Sequence, residues 1–283
     1  MSARTALVTG ASSGIGRATA LLLAREGYAV LAGVRKAEDG RSLADDARGE
    51  LEPLMLDVTD PAAIEAAAAA VTEHSRGGGL DALVNNAGAA HTGPLEFVPL
   101  DDFRRQLEVN LVGQLAVTRA MLPALRQAKG RIVNVTSIGG LVSTPFYGPY
   151  CASKYALESV SDCLRAELRP WGIRTIIVEP GSVATEIWSS GNRLANEMRA
   201  ELPPEAERLY GEALDAVTRI SAETGARGIP PEEAARVIHK ALAARWPRAR
   251  YLVGRDAYGM KYASRLMPDR LWDAAVRRTL KLP

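Results

Sequence analysis

The chain has 283 residues, 47% hydrophobic and 24% charged, an ordinary globular composition and long enough for one large α/β domain or two small ones. Its 35 Lys and Arg against 33 Asp and Glu leave a net charge of +2, which gives no reason to expect nucleic-acid binding. Two cysteines, Cys151 and Cys163, speak against a disulfide framework, and the scattered His74, His91 and His239 against a zinc site, so no metal is expected.

The N-terminus reaches an apolar run, Thr5-Ala6-Leu7-Val8-Thr9, almost at once and lacks the basic region and long apolar stretch of a leader. A cytoplasmic, reducing setting is therefore expected. In chain order the predicted strands are Ala6–Thr9, Ala29–Val34, Glu52–Leu56, Ala82–Asn85, Arg131–Thr136 and Thr175–Glu179. Each is β-branched or leucine-rich, and several are apolar on both faces, as parallel strands covered by helices must be. Predicted helices lie near 14–26, 60–75, 101–128 and 150–169. The apolar segment 18–33 carries Arg25, Glu26 and Gly27 in its middle, so it is no transmembrane helix of about 20 apolar residues. Residues 186–230 read as mainly helical, with breaks at Gly191, Pro203-Pro204, Gly225, Gly228 and Pro230-Pro231. Tyr251-Leu252-Val253 would add an edge strand, and 257–282 a helix or helix pair interrupted at Pro268. Strand and helix in alternation predict a doubly wound α/β fold with right-handed crossovers.

The first strand runs into Thr9-Gly10-Ala11-Ser12-Ser13-Gly14-Ile15-Gly16, followed by helix-forming Arg17-Ala18-Thr19-Ala20. Glycines let the backbone turn sharply and come close to a phosphate, and the new helix directs free N–H groups and its positive dipole end at the anion. The spacing is Gly-x-x-x-Gly-x-Gly, not the better-known Gly-x-Gly-x-x-Gly. The second strand ends at Gly33-Val34-Arg35-Lys36, beside an adenosine ribose in this architecture. A carboxylate there would accept from a free 2′-hydroxyl, whereas an arginine meets a 2′-phosphate, so Arg35 favours NADP(H) over NAD(H). The other reading of Arg35 is a solvated strand end.

Tyr150-Cys151-Ala152-Ser153-Lys154 places a phenol and an ammonium four residues apart on one helical face. A phenol ordinarily titrates far above neutrality, and Lys154 is expected to supply the cation that makes it an acid–base group. The spacing alone is unspecific. Tyr147 and Tyr155 lack a lysine four positions on.

The chain resembles the short-chain dehydrogenase/reductase family, closest to its retinol and hydroxysteroid dehydrogenase branch. The resemblance rests on the glycine turn, Asp57-Val58, Asn85-Asn86-Ala87-Gly88, Asn110, Ser137, Tyr150 with Lys154, and Pro180-Gly181-Ser182-Val183-Ala184-Thr185, in that order. It implies a Rossmann-type sheet of about seven parallel strands with helices on both faces and a helical substrate lid. One domain would span 1–283, with a cofactor core at 4–185, the lid at 186–230 and a C-terminal strand and helical tail at 231–283.

The resemblance also implies roles. Ser137 would donate to the substrate oxygen. Tyr150 would give or take its proton. Lys154 would hold the cofactor ribose, and Asn110 would hold a water linking Lys154 to solvent. Gly10, Ser12, Ser13, Gly14, Ile15, Gly16 and Arg35 would bind the phosphates. Asp57 with Val58 would meet the adenine edge, and Asn86, Ala87 and Gly88 would pass the ribose. Pro180, Gly181, Val183 and Thr185 would contact the nicotinamide end. Capping and turn-forming roles remain open for Asp57, Thr185, Asn110 and Ser137.

Ile187, Trp188, Leu194, Met198 and Leu202 would line the lid for a bulky hydrophobic alcohol or ketone, such as a steroid or retinoid, or would simply pack a lid helix. In the tail, Leu266, Leu271, Trp272, Val276 and Leu280 alternate with Arg265, Arg270, Arg277, Arg278 and Lys281. That pattern suits packing, a homodimer or homotetramer interface, or a membrane surface. A small-ketone or 3-ketoacyl reductase, a non-catalytic NADP(H)-binding regulator, and an epimerase or lyase are the competing functions.

Overall fold

The computed structural model describes residues 4–280; Lys281 and Leu282, assigned to the tail from sequence, lie outside them. Seven parallel strands, β1 (Arg4–Val8), β2 (Tyr28–Val34), β3 (Leu51–Met55), β4 (Ala82–Asn85), β5 (Arg131–Val135), β6 (Arg174–Pro180) and β7 (Arg250–Val253), form one sheet in the order 3-2-1-4-5-6-7. The predicted strand ends hold to within two residues. Adjacent residues serve opposite faces. Val8, Val84 and Val133 belong to one core with Leu23 and Ile238, whereas Leu7, Leu83 and Ile132 belong to the other with Val117, Met121 and Leu125. All of β2 is buried, which explains its unbroken apolar run.

The helices covering the sheet are α1 (Gly14–Arg25), α2 (Ala37–Asp46), α3 (Pro61–His74), α4 (Leu100–Leu107), α5 (Gly113–Ala128), α6 (Gly148–Glu167), α7 (Glu186–Glu201), α8 (Pro204–Arg227), α9 (Pro231–Ala243), α10 (Arg255–Leu266) and α11 (Asp269–Leu280). The structure adds one helix to those expected and corrects two readings. Helix α2 had no periodic signal, because only Gly40 and Leu43 of it are buried; a Cβ on Gly40 would stand 2.8 Å from Pro53, so its place is set by contact with β3. The helix expected over 101–128 is divided by a π-helical turn, Glu108–Val112, into α4 and α5. Gly191 and Gly225 break nothing. They lie inside α7 and α8, and Gly225 makes room for the Trp188 ring, which a Cβ there would approach to 2.9 Å.

The chain builds β1 to β3 outward in one direction and then returns to place β4 to β7 on the other side. Loops therefore diverge beyond the carboxyl ends of β1 and β4, and an open α/β sheet binds its ligand in that crevice.

Candidate active site

The turn leaving β1 forms the crevice floor. Gly10 (φ +63°) and Gly14 (φ +54°) occupy the left-handed region that side chains rarely adopt. A Cβ on Gly16 would fall on the Gly10 carbonyl and lie 2.5 Å from Asn86 Nδ2. Ser13 stands at the N-cap of α1 without a side-chain capping bond, and Thr185 does the same for α7. The two helix starts meet, since a Cβ on Gly14 would lie 2.9 Å from Thr185 Cγ2. Two uncapped N-termini facing one glycine cradle fit a dinucleotide's phosphates. Ser12, Ser13 and Ile15 are half-buried along this turn.

At the end of β2, Arg35 is exposed and acts on Asp57 across the gap to the loop after β3. Burial pushes the Asp57 carboxyl up, but hydrogen bonds from Thr59 N (2.9 Å) and Thr59 Oγ1 (2.7 Å), with Arg35 nearby, hold it below the usual range. Asp57 does not cap α3; Asp60 does, accepting from Ala62 N. Val58 is core, with its carbonyl against Gly113, so any contact it makes with a ligand comes from its main chain.

The loop after β4 is held by side chains that sequence reasoning largely missed. Thr9 Oγ1 accepts from the backbone N–H of both Asn86 and Ala87 (3.0 Å each), and Asn86 Nδ2 donates to the Thr9 and Gly10 carbonyls. From the other side come Gln106, Asn110, Gln114 and Thr118, all buried and spaced by four along α4, the π turn and α5. Gln106 Nε2 and Asn110 Nδ2 donate to Ala89 O, Asn110 Oδ1 accepts from Ala89 N, and Gln114 Nε2 donates to Ala87 O. Thr118 Oγ1 accepts from Asn85 Nδ2. A polar stripe at helical spacing within an apolar helix was the available signal. Asn110 also donates to Ser153 Oγ (3.0 Å), so its amide braces the loop.

Ser137, Tyr150 and Lys154 converge where β5 ends and α6 begins. Pro149 opens α6, where its missing N–H costs nothing. Ser137 Oγ accepts from Gly139 N (3.0 Å), which leaves its proton free, and it lies within hydrogen-bonding reach of the Tyr150 phenol. A Cβ on Gly139 would stand 3.1 Å from the Tyr150 ring. Lys154 is buried, donates to Val135 O (3.0 Å), and places Nζ 5.8 Å from the Tyr150 ring centre. Both Asn110 Oδ1 and Lys154 Nζ face Gly88, at 3.3 and 3.8 Å from a Cβ built there.

The expected acidification of Tyr150 by Lys154 is absent in the protein alone. Burial pushes the phenol up to about 12 and the ammonium down to about 8, with Ser137 opposing the first shift and Glu158 the second. Desolvation dominates at the phenol and favours its protonated form.

The loop after β6 closes the remaining side. Gly181 N donates to Val253 O, Ser182 N donates to Asp256 Oδ2 (2.6 Å), and Val183 and Ile229 form an isolated parallel bridge. Pro180 ends β6 here. Part of the expected lid lining is structural. Trp188 Nε1 donates to Val183 O (2.8 Å), and Leu202 joins the cluster of Phe146, Leu214 and Leu280. Ile187, Leu194 and Met198 remain half-buried, with Met198 against Gly93.

The short chain dehydrogenase family model matches residues 4–195, from the first strand into α7. The chain belongs to the short-chain dehydrogenase/reductase family. It is 38% identical over 283 residues to retinol dehydrogenase 5 of Mus musculus, covering 98% of this chain and 88% of that protein. It is 34% identical to the NADPH-dependent 3-dehydrocapnine reductase of Ornithobacterium rhinotracheale, covering 98% of each. Among solved structures it is similar to a short-chain dehydrogenase of Burkholderia cenocepacia in complex with NADP (TM-score 0.72, 29% identity, 99% and 98% covered). It is also similar to a family member of Burkholderia phymatum in complex with NAD (TM-score 0.78, 26% identity, 92% of each covered). This chain is thus an oxidoreductase acting on small-molecule alcohols or ketones, on a fold that binds a nicotinamide cofactor.

Proposed function

We propose that this enzyme interconverts a bulky hydrophobic ketone or aldehyde and its alcohol with NADP(H), using Tyr150 as acid and base. The convergence of Ser137, Tyr150 and Lys154 beside the loop held by Asn110 carries the reading. When bound, the dinucleotide supplies or takes the hydride. Ser137, whose oxygen already accepts from Gly139, donates its proton to the substrate oxygen and fixes it beside the phenol. In reduction Tyr150 protonates that oxygen, and in oxidation it removes the proton. Lys154 offers its ammonium to the ribose and keeps positive charge near the phenol.

Arg35 favours NADP(H): it is exposed at the end of β2, where no carboxylate stands to accept from a 2′-hydroxyl. The relative named for NADPH supports this preference, and the retinol dehydrogenase relative supports a hydrophobic substrate. In this reading residues 186–230 are the lid, with Ile187, Leu194 and Met198 as its apolar face. The enzyme works in the cytoplasm as a homodimer or homotetramer, which fractionation and light scattering would check.

The deciding assay follows NADPH and NADH consumption over a panel of retinoids, steroids, 3-ketoacyl esters and small ketones. Sustained NADPH turnover with the bulky members is expected. A preference for NADH, or turnover confined to small ketones, would reject that part of the assignment. Tyr150→Phe should abolish turnover while leaving NADPH binding within about threefold.

A further inference from the structure

Three consecutive residues at the end of β5 meet three successive turns of α6. Val135 O accepts from Lys154 Nζ (3.0 Å), Thr136 Oγ1 donates to Glu158 Oε1 (2.6 Å), and Ser137 faces Tyr150. Tyr150, Lys154 and Glu158 are spaced by four and share one helical face. Glu158 is buried at 6% exposure and has no part in the chemistry described above. Burial pushes the Glu158 carboxyl up, and the Thr136 hydroxyl and the Arg250 guanidinium on its far side oppose that rise and favour the carboxylate. Arg250 of β7 donates from Nε to Glu158 Oε2 (3.0 Å) and from Nη2 to Asp162 Oδ2 (2.6 Å). The same guanidinium lies 3.5 Å from fully buried Glu179 of β6, whose other oxygen is 3.8 Å from Lys261 of α10.

We propose that Glu158 is a positioning residue: its carboxylate, fixed by Thr136 and Arg250, keeps the Lys154 side chain an ammonium one helical turn away. The proposal rests on the assignment of Tyr150 and Lys154 as the working pair. Around Lys154 the neighbours from β5 and the π turn are the neutral Val135 carbonyl and Asn110. Among the described residues Glu158 is the one charged group that acts on it. Facing Glu158 are Asp162 on its own helix and Arg250 from β7; Glu179 on β6, which feels the Glu158 charge, is countered by Arg250 and Lys261. Burial drives Lys154 down to about 8, and the Glu158 charge opposes that fall. With the ammonium as the working form, activity should fall as pH rises through the Lys154 titration. Removing the Glu158 charge moves that loss to lower pH.

The test is the pH dependence of kcat/KM for NADPH-driven reduction, from pH 6 to 10, in wild type, Glu158→Gln and Thr136→Val. In Glu158→Gln the alkaline limb should move about one unit or more toward acid, since one unit is a tenfold change in the protonation ratio. Its rate at pH 6 should stay within about threefold of wild type. Thr136→Val keeps the carboxylate but removes its hydroxyl donor, so a smaller shift in the same direction is expected. It carries the test if Glu158→Gln does not fold. A profile lowered equally at every pH, with the limb in place, overturns the proposal and marks Glu158 as structural only. Tyr150→Phe in the same assay separates the two readings. Residual turnover there defeats the catalytic assignment itself, whereas an inactive Tyr150→Phe together with unmoved limbs in Glu158→Gln and Thr136→Val defeats only the role of Glu158.

Discussion

Replacing Asn110 by alanine should loosen the fold as well as slow the enzyme. Asn110 is fully buried, and its amide accepts from Ala89 N (2.9 Å) and donates to Ala89 O (3.0 Å) and Ser153 Oγ (3.0 Å). Alanine removes all three bonds and leaves the Ala89 amide N–H without its acceptor. At about 1 kcal/mol net for each hydrogen bond, the loss is about 3 kcal/mol. A chain of this length melts with an entropy of about 0.6 kcal/mol/K, so Tm should fall by about 5 °C. Asn110→Asp should not rescue it. The carboxylate still accepts from Ala89 N but turns an acceptor toward the Ala89 carbonyl. Thermal unfolding followed by near-ultraviolet circular dichroism, without added cofactor, measures both variants. A melting point within about 1 °C of wild type in Asn110→Ala, alongside lost turnover, would refute the brace and leave the amide a role in turnover alone.

Gly16→Ala should cost at least about tenfold in NADPH affinity by titration, because the new methyl strikes the Gly10 backbone that shapes the cradle. Unchanged affinity would mean the turn does not hold the phosphates. Arg35→Glu should raise the NADPH KM by about 10- to 100-fold, the worth of a charge-assisted hydrogen bond, while changing the NADH KM much less. An equal loss with both cofactors would remove Arg35 from the 2′-phosphate site. Asp256→Ala deprives Ser182 N of its acceptor in the loop after β6; if that loop contacts the nicotinamide as proposed, a KM for NADPH raised by about tenfold is expected, with Asp256→Asn recovering much of it. No change in either variant would show that α10 does not steady that loop.

The strands were legible because a parallel sheet buried on both faces demands unbroken apolar runs, and β2 supplies one from Tyr28 to Val34. The glycine turn was legible because positive φ at Gly10 and Gly14 and the close approach at Gly16 leave few alternatives to glycine. Helix α2 was not, since its polar sequence is helical chiefly through contact with β3. Nor, Asn110 apart, was the polar stripe Gln106–Asn110–Gln114–Thr118, because its partners are the Asn85 side chain and backbone groups of the loop after β4, 15 to 33 residues away along the chain. The tail shows the same division. Its amphipathic spacing was visible, yet only the fold sets Asp256 beside Ser182 and Lys261 beside Glu179.

By itself, then, the sequence determined the order of strands and helices, the glycine turn after β1 and the four-residue spacing of Tyr150 and Lys154, because each depends on a pattern within one short segment. Only the tertiary structure decided what surrounds the side chains of Tyr150 and Lys154. Burial raises Tyr150 and lowers Lys154, and the network from Thr136 through Glu158 to Arg250 joins α6 to two strands far apart in the chain. Desolvation and charge depend on what surrounds a side chain in three dimensions, and local spacing does not carry that information.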